Sequence, residues 1–147
     1  MFLDDLSTAG AKPALAATMR FAGQRQRLIS HNIANMETPN FQAVDVSPRA
    51  FQRQLQRAIS GRRESNGGAS GRLEFRDTRE LRFGASGGLS LTPRTSTGNI
   101  LGHDRNNRDL ERTMQSMVEN AGAFRLASDF MRSRGAVINS AIAERVL

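Results

Sequence analysis

Apolar residues near the N-terminus fall at Leu15, Met19, Ala22, Ile29, Ile33 and Met36, with Gln26 filling the remaining place in an alternation of four and three. The positions between them are largely polar or small. This is a heptad seam, and it predicts a helix from about Lys12 to Asn35, with Pro13 tolerated in the first turn. Such a helix is roughly 35 Å long. A second seam closes the chain: Leu110, Met114, Met117, Ala121, Phe124, Ser128, Met131, Gly135, Ile138 and Ile142. Asn106 is placed to cap it, Asp109 follows three residues later, and Asp109 with Glu111 puts acid in the first turn. The predicted second helix runs from about Asn107 to Glu144. Val118, Phe130 and Val137 widen its stripe on one flank beyond what a two-stranded coil needs, which implies contact with more than one neighbour.

The middle has a different pattern. In "SPRAFQRQLQRAIS", Ser47 to Ser60, Phe51, Leu55 and Ile59 recur at intervals of four and predict a short third helix. "GRRESNGGASGR" is polar, glycine-rich and aperiodic, and reads as a loop or disordered segment. Residues 72–102 mix isolated apolar points with Gly, Ser and Thr, and "LSLTP", Leu89 to Pro93, reads as a brief strand. No internal repeat is visible. The expected fold is all-α: two long terminal helices pairing in coiled-coil fashion, a short third helix, and a flexible Gly/Ser-rich middle with at most minor β. Each seam alone leaves apolar surface in water, so the two are expected to bury one another, with the leftover width inviting assembly.

Composition narrows the function classes. Over 147 residues, 38% are hydrophobic and 5% aromatic, with no Trp or Tyr, so a single thin core on paired helices is expected. The net charge of +7 comes almost wholly from arginine, Lys12 being the only lysine. A basic balance admits nucleic acid, anionic lipid or an acidic protein as partner. The arginines are spread along the sequence without interleaved aromatics, so base stacking lacks its platform. A small basic helical nucleic-acid-binding protein therefore stands as the reading from another class, supported by charge alone. Cysteine is absent, which excludes disulfides and thiolate chemistry. No apolar run approaches the roughly 20 residues that span a bilayer. The start, "MFLDDLSTAGAKPALAATM", has two aspartates where a signal peptide carries its basic region, and it lacks a continuous apolar stretch.

Catalytic and ligand-binding patterns fail one by one. The single lysine, in "AKPA", excludes a Walker-type phosphate loop, and "NGGASG" and "GASGG" open no helix. His31 and His103 lack the further ligands a zinc site needs. In "HDRNNRDLE" the fifth and sixth positions of a calcium loop fall on Arg108 and Asp109, so that match fails too. No enzyme, cofactor or metal is expected.

One stretch remains: "SHNIANMETPNFQAVD". Asn32 and Asn35 lie three apart on the last helical turn, where asparagine bonds freed carbonyls and accepts left-handed backbone. Pro39 biases Thr38 away from helix, Asn40 takes a turn position, and Phe41 is an apolar anchor able to fold back on the helix end. The stretch resembles the N-terminal signature of bacterial flagellar rod, hook and hook-associated proteins, approximately Asn-Ile-Ala-Asn-x-x-Thr-Pro-Gly-Tyr. Asn32, Ile33, Ala34, Asn35, Thr38 and Pro39 match it, Asn40 stands in for the glycine and Phe41 for the tyrosine. Within the family the chain is most similar to a proximal rod protein, on its short length, on "DVSPRAFQRQL", and on "DRNNRDLERTM". That last segment resembles Asp-Gly-Asn-x-Val-Asp-Leu-x-x-Glu-Met, with Arg105, Arg108 and Thr113 replacing Gly, Val and Glu. The resemblance covers residues 10–60 and 103–147.

The resemblance implies a single rod-type domain over 1–147. Its helical core comes from 10–36 and 107–145, and 61–102 is flexible or ordered only on assembly. It implies a structural subunit of the flagellar basal body that self-assembles into the periplasmic rod after type III export without a cleaved signal. Implied partners are copies of itself, other flagellar rod proteins, basal-body membrane-ring and rod-adaptor proteins, and the flagellar type III export apparatus. Nucleic acid and a direct membrane span are not implied. A sister proximal rod protein or another axial flagellar protein is the alternative within the class. The expected assembly seam is Leu15, Met19 and Ile29 with Leu110, Met114, Met117, Phe124, Met131, Ile138 and Ile142. The expected junction is Asn32 to Phe41.

Overall fold

Two sets of residues on the first helix decide where everything else packs. In the computed structural model, which describes residues 10–68, 71–84, 88–95 and 110–144, α1 spans Lys12–Ala34 with Pro13 in its first turn. One set is the seam side, where Ala22 and Ile29 are buried and Leu15 and Met19 half-buried. The other is Ala17, Phe21, Arg25, Leu28 and Asn32, again spaced by four and three and turned about 115° from the first. The sequence pattern shows only the first set, because the second carries an arginine and an asparagine.

After α1 the chain turns back through β1 (Val44–Asp45) into α2 (Pro48–Asn66). Ser47 caps α2 by accepting a hydrogen bond from the Ala50 N–H at 3.2 Å, and Pro48 occupies the first turn. The short helix expected over Ser47–Ser60 is therefore corrected at its far end, and so is the loop expected from Gly61. The helix continues to Asn66 and stops where Gly67 adopts a left-handed φ of 67°, its N–H bonding the Arg63 carbonyl at 3.0 Å. Its buried side is Phe51, Gln54, Ala58 and Arg62. The helical period is intact, but two of its four members are polar, so an apolar count loses it after Ile59.

Two short antiparallel pairs follow. β2 (Leu81–Phe83) pairs with β3 (Leu89–Leu91), Leu81 facing Leu91 and Phe83 facing Leu89, closed by a Gly84 N–H bond to the Gly88 carbonyl at 2.8 Å. β4 (Arg94–Thr95) returns to β1, with Val44 opposite Thr95. The brief strand expected at Leu89–Pro93 is thus Leu89–Leu91, and its partner is Leu81–Phe83.

The hydrophobic core lies between α1, α2 and the β2–β3 pair. Phe21 stacks on Phe51 with ring centroids 4.2 Å apart, and Val46 and Leu81 are fully buried beside them. Phe75 and Phe83 stack at 4.4 Å against the same cluster. Burying such aromatic pairs contributes about 1 kcal/mol each beyond the area term. The Gln24 side-chain amide donates to the Leu89 carbonyl and ties the strands to α1.

The last element, α3 (Leu110–Glu144), packs along α1. Asn120, which is buried, fixes its rotation: Nδ2 donates to the Ala22 carbonyl at 2.8 Å and to Gln26 Oε1 at 2.9 Å. Arg112, Thr113, Gln115 and Ser116 line a groove together with Arg25, Ile29 and Asn32, so the two helices run antiparallel. At 35 residues against 23, α3 outruns its partner. Counted from the Asn120 contact, its last dozen or so residues extend past the start of α1. No helix among the described residues is long and apolar enough to cross a membrane.

Candidate assembly interface

The turn out of α1 is built from local chemistry. Asn35 ends the helix with φ −106°; its backbone N–H and its side-chain Nδ2 both donate to the His31 carbonyl, at 3.1 and 2.8 Å. Thr38 then opens a four-residue turn closed by the Phe41 N–H on the Thr38 carbonyl at 3.1 Å. Pro39 takes the second position, and Asn40 the third with φ +60°, the pattern of a type II turn. Phe41 comes back onto the helix end, its ring centroid 5.6 Å from that of His31.

Asn32 has a separate task. Its side chain is buried and addresses both backbone groups of Val44: Nδ2 donates to the carbonyl at 2.7 Å, and Oδ1 accepts the N–H at 3.1 Å. The amide completes the edge of β1 as a neighbouring strand would. Two turns earlier, Arg25 grips the next residue: Nε and Nη2 donate to the two oxygens of Asp45 at 2.9 and 2.6 Å. Asp45 Oδ1 also accepts the Val46 N–H at 2.8 Å, which holds Val46 in the core. Glu80 completes the corner by accepting the Ser47 N–H at 2.9 Å. Arg25, Asp45 and Glu80 escape sequence reasoning. An arginine at heptad spacing from Asn32 is the one signal, and it is weak. Of the expected junction residues, Ile33, Ala34, Thr38, Pro39 and Asn40 are exposed and Asn35 and Phe41 half-buried.

The expected seam is redistributed. On α1, Leu15, Met19 and Ile29 face inward, whereas Ile33 is exposed. On α3, Met131 is half-buried, but Leu110, Met114, Met117 and Phe124 are exposed; the side chains of Ile138 and Ile142 lie outside the described ones, as do Asn106 and Asp109. The pairing of α1 with α3 through those four large residues is therefore corrected. Among the described side chains of α3, Asn120 and Ala127 are buried, and Thr113, Ser116, Ala121, Ser128, Met131 and Gly135 are half-buried. Small side chains let the two backbones approach, and the Asn120 bonds select that rotation over the bulkier alternative.

The consequence is two apolar flanks. At 100° per residue, Leu110, Met114, Met117, Val118 and Phe124 centre about 100° to one side of the Asn120–Ala127 line. Leu126, Phe130 and Val137 centre about 90° to the other. Val118 thus parts company with Phe130 and Val137, which the sequence groups together. Exposure reaches 72% at Val118 and 64% at Val137, well beyond scattered surface hydrophobics. The helix bearing them is balanced in charge: Arg112, Arg125, Arg132 and Arg134 offset Glu111, Glu119, Asp129 and Glu144. Its chemistry is suited to helix contact on two sides. Among the described residues no three His, Asp or Glu side chains gather as a metal site.

No family model matches the chain. Among curated proteins, the flagellar basal body rod protein FlgB of Borrelia hermsii is 30% identical over 120 residues, spanning 80% of this chain and 84% of that protein.

Proposed function

From the chain's membership of the FlgB-like family of flagellar basal body rod proteins, we propose that it is a structural subunit of the proximal rod, the drive shaft of the flagellum. The observation that carries this reading is the pair of apolar flanks on α3, one on each side of the helix pairing within the chain. A helix so flanked buries its remaining surface only between two neighbours. Two different contact surfaces make a head-to-tail interface, which propagates as a helical array where it does not close into a ring.

The rod-type domain takes in 1–147, with its helical core from 10–36 and 107–145. The junction Asn32 to Phe41 fixes how the chain leaves that core. Copies of the protein, other rod proteins, and membrane-ring and rod-adaptor proteins supply the surfaces that cover Leu110, Met114, Phe124 and Phe130. The subunit reaches the periplasmic rod through the type III export apparatus, and its work is mechanical.

Deletion of the gene, scored for swimming and for filaments by electron microscopy, tests the reading. Loss of rods, hooks and filaments, restored by the native copy but not by copies carrying Phe124→Asp or Phe130→Asp, is the expected result. Normal filaments after clean deletion would overturn it.

A further inference from the structure

Part of the chain's basic charge gathers on one helix. α2 carries Arg49, Arg53, Arg57, Arg62 and Arg63 against the single Glu64. Its C-terminal half meets the segment that follows it along a groove of about 860 Å³, lined by Arg57, Arg62, Arg72 and Arg76, with Glu74 the one acid among the described lining residues. Phe75 supplies an apolar side to the same groove.

The N-terminal end of the described chain lies at this groove. Arg62 Nη2 donates to the Gly10 carbonyl at 2.6 Å, and Nη1 reaches the Gly71 carbonyl at 3.4 Å. Gly10 itself has a φ of +59°, a left-handed backbone that glycine adopts without strain. The preceding residues, "MFLDDLSTA", lie outside the described structure, and Asp4 and Asp5 are their only charged side chains. Gly10 is five residues on from Asp5, a reach of up to about 17 Å.

We infer that residues 1–9 dock in the arginine groove of their own chain, with Asp4 and Asp5 against Arg57, Arg62, Arg72 and Arg76. Charge complementarity selects this segment, and the Gly10–Arg62 bond places its root at the groove mouth. Tethering makes the docking intramolecular, at an effective concentration a separate peptide does not reach. The neighbouring Phe2, Leu3 and Leu6 have Phe75 as apolar company. Docking clamps the start of α1 to the end of α2, two elements otherwise joined there through Arg62.

The chain has no cysteine, so one engineered pair reports without ambiguity. Leu3→Cys with Ser65→Cys, the latter on the groove wall, is oxidised at low salt, and the cross-link is read by non-reducing electrophoresis. The expected product is an intramolecular bridge. Adding Asp4→Arg and Asp5→Arg slows its formation about tenfold, the effect of two exposed ion pairs. Further adding Arg57→Glu and Arg76→Glu, which restores opposite charge, recovers the rate. Circular dichroism checks that each variant is folded. A rate indifferent to the reversal, a reversal not rescued by the swap, or bridges only between chains would each overturn the inference, the last assigning the groove to a second copy.

Discussion

At the residue scale, the two asparagines of the signature divide the labour of ending a helix and starting a return. Asn35 serves the helix, binding the freed His31 carbonyl; Asn32 serves the return, binding Val44 as a strand would. Removing Asn32 leaves the two Val44 groups to find new partners inside the fold. Asn32→Ala is expected to lower stability by about 2–3 kcal/mol in urea denaturation, and Asn35→Ala by less than about 1 kcal/mol. An equal loss for both would contradict the division of roles. Asn40 holds φ +60°, so Asn40→Gly leaves stability unchanged or slightly raised, whereas Asn40→Val costs about 1–2 kcal/mol. Asp45→Ala strands the buried Arg25 guanidinium and is expected to cost about 3 kcal/mol. If the same denaturation assay finds Asp45→Ala as stable as the native chain, the ion pair is not what holds the corner.

At the element scale, α2 shows how a helix end is misread. Gly61 looks like a stop, and the polar run after it looks like a loop. Yet Gly61 sits within the helix with open space where a Cβ would stand, and Gly67 carries the left-handed φ. Two glycine-to-alanine changes six residues apart thus have opposite signs. Gly61→Ala is expected to stabilise by about 0.5–1 kcal/mol through the lower entropy of the unfolded chain. Gly67→Ala is expected to destabilise by about 1 kcal/mol. Thermal melts followed at 222 nm decide it, and a stabilising Gly67→Ala would mean the helix ends elsewhere.

At the scale of the whole molecule, α3 separates folding from assembly. Phe124 is 40% exposed on a flank, and Ala127, one turn on, is 4% exposed against α1. Phe124→Asp is expected to leave the monomer's stability within about 0.5 kcal/mol while abolishing association in sedimentation and motility in cells. Ala127→Asp buries an unpaired carboxylate and is expected to unfold the α1–α3 pairing, at a cost of several kcal/mol. Were Phe124→Asp to unfold the monomer, Phe124 would belong to the intrachain seam after all, and the two-flank account would fail.

Much of this architecture is written locally. The seam of α1, the length of α3, the Ser47–Pro48 start of α2 and the left-handed turn at Asn40 each follow from neighbours within a few residues, because spacing and backbone preference are short-range properties. The family signature is legible for the same reason. What the tertiary structure alone decided is rotation and company. Heptad spacing says that α3 has an apolar stripe, but only the Asn120 bonds to Ala22 and Gln26 say which side meets α1, and they turn the largest side chains outward. Nothing in the polar run around Leu81 announces a core residue; its burial depends on Phe21 and Phe51 arriving from two distant helices. Arg25 and Asp45, twenty residues apart, become one corner only once the chain has turned back. These are long-range pairings between polar groups, which periodicity does not mark, so their partners appear only when the chain is folded.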